Sequence, residues 1–111
     1  MVWYENLFIS NSIEKKAHKI VKKITRGSFI NHGYLMCFST NGTDLFEIIS
    51  ARELAQKHYP KDHLQVIGIF ATWDEAVMHA GTVVQECIQL YGKTDLKQYY
   101  QGSWRDSFDF S

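Results

Sequence analysis

The sequence has little of what identifies several classes of protein. It contains one proline and two cysteines in 111 residues, and basic and acidic residues are equal in number at 12 each. Its longest apolar runs, such as "VIGIFA", are far shorter than the roughly 20 residues needed to span a bilayer. We therefore expect no membrane association, and the zero net charge lacks the basic balance that is typical of nucleic-acid-binding domains.

Signals for export and for disulfide bonds are also missing. The opening "MVWYENLFIS" has no basic start, no sustained apolar stretch and no small-residue cleavage site, so it does not resemble a signal peptide. Cys37 and Cys87 each lie in an apolar periodic segment without a neighbouring cysteine. This pattern is typical of buried free thiols in a reducing compartment, and it predicts a cytoplasmic protein.

No stretch of the sequence has the strength of a catalytic signature. A dinucleotide fingerprint, a P-loop, a nucleophile elbow and kinase motifs are all absent. The five histidines lack zinc-ligand spacing, and the closest pair, His58 and His63, flanks a polar turn. Cys37 has no assignable activating base, and "STNGTD" leads into a strand, which favours a hairpin tip over a phosphate site. We expect no enzyme activity, catalytic residue, cofactor or metal site.

Composition favours one folded domain over residues 1–111. Apolar residues make up 45% of the chain and charged residues 22%, which is the balance of a folded protein, and the length suits a single core. Residues 102–111 lack helical or strand periodicity but carry Trp104, Phe108 and Phe110. We expect this aromatic tail to be either docked or disordered.

Three capping-box spacings predict where helices begin, at Asn11–Glu14, Ser50–Glu53 and Thr72–Glu75, with Ser12 as the alternative cap of the first helix. Gly27 and Gly92 supply stops for the first and third helices. The third helix is predicted to be the longest, and its predicted inner face consists of Ala76, Val77, Ala80, Val83, Val84, Cys87, Ile88 and Tyr91. One further helical turn is predicted in "KTDLKQYY".

The strand pattern indicates an α+β fold, a small mixed sheet with helices packed mainly on one face. Asn41-Gly42 between two apolar runs is a strong hairpin signal, and "HLQVIGIFA" has the pattern of a buried strand. A crossover helix after Ser50 would make this strand parallel to "LFEIIS". If "NLFIS" is also a strand, the order becomes βαββαβ plus a C-terminal helix, which is compatible with a ferredoxin-like plan.

The hairpin supplies the candidate interaction face. A two-residue loop at Asn41-Gly42 places six side chains on one side of the hairpin, namely Tyr34, Met36, Phe38, Leu45, Glu47 and Ile49. Helices confined to the other face would leave this side exposed as a contact surface for a protein partner or a homodimer. The alternative is that the third helix or the aromatic tail from Trp104 to Phe110 covers it.

The second candidate surface is the basic helix 12–26. Residues 1–26 carry six basic and two acidic side chains, a net charge of +4, and residues 27–111 carry −4. The candidate polyanion contacts are Lys15, Lys19, Lys22, Lys23 and Arg26. They wrap most of the helix without interleaved aromatic residues, which favours a solvated face. The sequence thus predicts a non-catalytic interaction or regulatory module acting through the hairpin face, with nucleic-acid binding as the disfavoured alternative.

Overall fold

The computed structural model describes residues 1–40 and 44–108. Its five strands are β1 Val2–Ile9, β2 Tyr34–Phe38, β3 Phe46–Ser50, β4 Gln65–Phe70 and β5 Trp104–Arg105. A 3-10 helix spans Asn11–Lys16, and the α-helices are α1 Ala17–Arg26, α2 Ala51–Leu54, α3 Trp73–Tyr91 and α4 Leu96–Tyr99. The early strand and the extra turn after Gly92, both suggested by the sequence, are confirmed.

The strands form one mixed sheet in the order β3-β2-β4-β1-β5. β1 and β4 pair in parallel, and the other neighbours are antiparallel. β4 therefore runs parallel to β3, as predicted, with β2 between them. The α+β class and the order βαββαβ plus a helix are confirmed. The ferredoxin-like resemblance ends there, because that plan has the first and third strands at the centre, whereas this sheet has β4 at the centre with β2 and β1 on either side.

Helices cover both faces of the sheet. On one face the 3-10 helix, α1 and α2 bury Ile20, Ile24 and Leu54 against Leu35 and Val66. On the other face α3 and the C-terminal segment cover a second cluster built from Tyr4, Met36, Ile67, Phe70 and Ala76. The expectation that helices lie mainly on one face thus describes α1 and α2 but misses α3. The physical reason is that β4 is apolar on both faces, so each face needs a cover.

Two of the three predicted caps form. The Ser50 hydroxyl accepts the Glu53 N–H, and the Thr72 hydroxyl accepts the Glu75 N–H. The first predicted cap is wrong, because the chain from Asn11 forms a 3-10 helix with no side-chain cap.

The Glu75 carboxylate joins the 3-10 segment to the start of α3. It accepts hydrogen bonds from the Ser10 and Ser12 hydroxyls at 2.8 Å and from the Ala71 N–H at 3.3 Å. The hydrogen bonds from Ser12 and Ser10 hold the pKa of Glu75 below its usual value. Glu75 therefore contacts residues more than 60 positions away instead of closing its own capping box.

Candidate functional site

The hairpin register differs from the predicted one by a single residue. Phe38 pairs with Phe46, and Met36 pairs with Ile48. The Ser39 N–H donates to the Leu45 carbonyl at 3.1 Å, so five residues, 40–44, lie between the last hydrogen-bonded positions of the hairpin instead of two. The predicted Asn41-Gly42 turn lies outside the described residues.

The shift moves half of the predicted interaction face to the other side of the sheet. Glu47 now pairs with Cys37, and Ile49 pairs with Leu35 and belongs to the core under α1. Only three of the six predicted residues, Tyr34, Met36 and Phe38, share a face, and Leu45 precedes β3. A one-residue change of register flips each side chain of one strand relative to its partner strand.

The remaining hairpin face is covered from within the chain. Met36 is fully buried, and the Phe38 ring lies 5.4 Å from the Tyr100 ring and 5.5 Å from the Trp104 ring. Trp104 is held there because β5 pairs with β1, so the described part of the aromatic tail is docked. The intramolecular alternative is the one observed, and Met36 and Phe38, among the described residues of this face, form no open apolar patch.

Exposed apolar surface is concentrated on α3 instead. Eight large apolar side chains are exposed among the described residues, and five of them belong to this one helix: Trp73 51%, Val77 45%, Met78 74%, Ile88 50% and Leu90 66%. The buried face of α3 is formed by the small or medium side chains of Ala76, Val83 and Cys87. Val77 and Ile88 were predicted for that inner face and lie outside it.

Trp73, Val77, Gly81, Val84 and Ile88 form a continuous band, which we call the outer stripe. Their spacing of four, four, three and four residues keeps them within about 80° of the helix circumference. No member of the outer stripe is charged. The sequence pattern merged this stripe with the buried face because the two lie side by side on an apolar helix.

The basic candidates remain on the opposite side of the sheet. Lys15, Lys19, Lys22 and Arg26 are exposed and Lys23 is half-buried. The single ion pair found within residues 1–40 and 44–108 joins Arg105 to Glu5, so no described carboxylate pairs with these cations. α3 by contrast carries three acidic residues and no Lys or Arg. The two helices α1 and α3 thus differ in the sign of their charge.

The thiols and histidines do not assemble into a reactive centre. Cys37 is fully buried. Burial is the larger cause and the negative charge of Glu47 the smaller cause that together raise the pKa of its thiol to about 12. Burial also raises the pKa of Cys87. In the described part of the chain no three His, Cys, Asp or Glu side chains converge as metal ligands, and that includes His58 and His63.

An aromatic pocket of about 300 Å³ opens between β1, α3 and α4. Its lining consists of Tyr4, Asn6, Phe8, Ile67, His79, Tyr99 and Tyr100. The alternation of Tyr4, Asn6 and Phe8 along β1 was the available sequence signal, since alternate strand residues share a face. The pocket itself could not be predicted, because it needs three separate elements to converge.

Comparison with known proteins adds no functional information. No protein-family model, curated protein or solved structure matches this chain. None of the helices in residues 1–40 and 44–108 is long and apolar enough to cross a membrane. The candidates for function therefore come from the chain's own surface and pocket.

Proposed function

We propose that the protein is a non-catalytic interaction module and that it self-associates through the outer stripe of α3. This keeps the predicted class of function but moves the surface from the hairpin face to the helix. The supporting observation is that Trp73, Val77 and Ile88 are each about half exposed on one uncharged band of a 19-residue helix. Contiguous exposed apolar surface of this kind usually marks a contact site.

The spacing of the outer stripe favours a second copy of the chain as its occupant. A two-fold interface is self-complementary, so each contact between two positions occurs twice. If two α3 helices cross antiparallel at Ala80-Gly81, Trp73 of one copy faces Ile88 of the other and Val77 faces Val84. A large side chain thus meets a medium one at each end, with small residues at the crossing.

Gly81 supports a close approach at that crossing. A Cβ atom added at Gly81 would meet nothing within 4 Å, so the space above the backbone is open. Helices packed in a shallow crossing lie about 8–10 Å apart, and small residues allow the shorter separations. One helix pair buries less than a standard interface of roughly 1,600 Å², which leads us to expect micromolar affinity.

Concentration-dependent mass measurement tests this proposal. Light scattering from about 10 to about 500 micromolar, a range that brackets micromolar affinity, should show the mass rising from 12.9 kDa toward twice that value. Ile88→Lys should remain monomeric, because it places a charge in the stripe. Met78→Lys is the matched control, since Met78 is more exposed and lies outside the stripe. A wild type that stays monomeric throughout, or equal behaviour of the two variants, contradicts the proposal.

Polyanion binding by α1 is the second candidate, supported by the absence of any ion pair between its cations and a carboxylate within residues 1–40 and 44–108. Binding should weaken steeply with salt, because each phosphate contact releases counterions. A triple variant, Lys15→Ala, Lys19→Ala and Lys22→Ala, should lose binding to a duplex probe at about 50 mM salt, whereas Lys93→Ala with Lys97→Ala should not. A wild type that shifts neither duplex nor single-stranded probes under these conditions excludes this candidate.

A further inference from the structure

The aromatic pocket lies on the same face of the sheet as α3 but away from the outer stripe. β1 forms its floor through Tyr4, Asn6 and Phe8, while α3 contributes His79 and α4 contributes Tyr99. His79 is about 160° around the helix from Val77, so the pocket and the stripe are separate surfaces. A volume of about 300 Å³ falls at the lower end of the range for small-ligand sites.

Aromatic rings form two walls of the pocket. At one end Tyr100 stands perpendicular to Tyr4, with ring centres 5.3 Å apart and planes at 89°, and it makes a similar corner with Tyr99 at 4.9 Å and 73°. At the other end Phe8 stacks on His79 at 4.0 Å. Perpendicular rings turn their electron-rich faces in different directions. Such an arrangement suits a compact ligand group that contacts rings on several sides.

The charges around the pocket favour a positive occupant. None of its seven lining residues is Lys, Arg, Asp or Glu. Just behind the wall the Glu86 carboxylate accepts a hydrogen bond from the Tyr99 hydroxyl. Burial lowers the pKa of His79, with Glu86 opposing the shift, which favours the neutral imidazole. An anion would meet Glu86 and the negative faces of the rings, whereas a cation is attracted to both.

Two of the three tyrosine hydroxyls that line the pocket already have partners. The Tyr4 hydroxyl accepts the Gly102 N–H at 2.9 Å, and the Tyr99 hydroxyl is bound to Glu86. A primary ammonium brings three N–H donors that each need an acceptor. A fully methylated ammonium brings none and presents methyl groups to the rings.

We propose that this pocket binds a methylated ammonium group through its aromatic walls. Two sources share that chemistry, a small free ion of the choline type and an N-methylated lysine side chain. A cation over several ring faces is held by the ring quadrupoles, so removal of one ring from such a site weakens binding. We therefore expect loss of one wall to weaken binding about tenfold, since tenfold corresponds to roughly 1.4 kcal/mol.

Titration of the isotope-labelled full chain with choline chloride, followed by amide shifts in NMR spectra, tests the site. We expect saturable shifts centred on Asn6, Phe8 and Tyr99, with potassium chloride as the ionic-strength control. The neutral isostere 3,3-dimethyl-1-butanol should bind about tenfold more weakly, because it lacks the charge. No saturable shift up to about 50 mM choline, far above the millimolar range of weak sites, or equal binding of the alcohol overturns the proposal.

Wall variants locate the site. Tyr99→Leu should weaken choline binding about tenfold, as one ring face is lost, while Tyr99→Phe keeps the ring and should bind within about threefold of wild type. If Tyr99→Leu does not fold, Phe8→Leu serves instead, because Phe8 is 43% exposed. Unchanged binding in the folded Leu variant overturns the aromatic-wall assignment.

Peptides separate the two sources. A short peptide carrying trimethyllysine that binds more tightly than choline, while its unmodified counterpart does not bind, assigns the pocket to a modified protein. Choline binding that equals or exceeds peptide binding assigns it to a free small ion.

Discussion

Phe38→Ala distinguishes a covered hairpin face from an open one. The Phe38 ring is partly buried and contacts Tyr100 and Trp104, so its removal should destabilise the monomer. Full burial of a Phe side chain gives Phe→Ala costs of about 3–5 kcal/mol. Because Phe38 is only partly buried, we expect its removal to cost about 2 kcal/mol. The two lost ring contacts add about 0.5 kcal/mol each, so the total loss of stability should be near 3 kcal/mol.

Urea denaturation followed by tryptophan fluorescence measures this loss. With a slope of about 1.5 kcal/mol per molar, the midpoint should fall by about 2 M. Phe29→Ala is the matched control: its ring is 67% exposed and contacts the Arg52 guanidinium at 6.0 Å, so it should cost less than about 1 kcal/mol. If the two variants lose the same small amount of stability, the hairpin face is not covered by the C-terminal segment and our account of it is wrong.

Two further predictions concern titratable groups. Cys37 and Cys87 should react with a thiol reagent only at the rate of unfolding, because both are buried with raised pKa values; fast modification of Cys37 in the native protein would refute this. Glu75 has a pKa below its usual 4.5 in the folded state, so its contribution to stability should be present at pH 7 and lost as the pH falls through 4.5 and below. The free energy of unfolding of Glu75→Gln should therefore lie below that of wild type at pH 7 and converge with it at low pH; a gap that is constant with pH would contradict the role given to the carboxylate.

Local patterns predicted the elements well. The Ser50 and Thr72 caps, the glycine stops and the apolar periods mark most of the helices and strands, because these signals act over a few residues. The hairpin face was mispredicted because its register depended on one connection, in which two residues were expected and five are found. A single-residue error there reassigned Glu47 and Ile49 to the wrong side.

Features that depend on distant contacts were beyond the sequence pattern. The pairing of β5 with β1 brings Trp104 onto Phe38 from the far end of the chain, and it decides which apolar surface is covered. The periodicity of α3 showed that the helix is apolar but not which side faces the sheet. Val77 and Ile88 were assigned to the core for that reason, although about half of each side chain is exposed.

Pairing of two oppositely charged variants tests the antiparallel α3 contact most directly. Trp73→Glu and Ile88→Lys should each be monomeric alone. A homodimer of either variant would bury the substituted charge at both ends of the helix pair, because each contact occurs twice in a two-fold interface. When they are mixed, one Glu faces one Lys and the other contact remains native, so we predict a heterodimer detectable by sedimentation at about 100 micromolar, well above micromolar affinity. A mixture that remains monomeric, while wild type dimerises at the same concentration, would contradict the antiparallel pairing of Trp73 with Ile88.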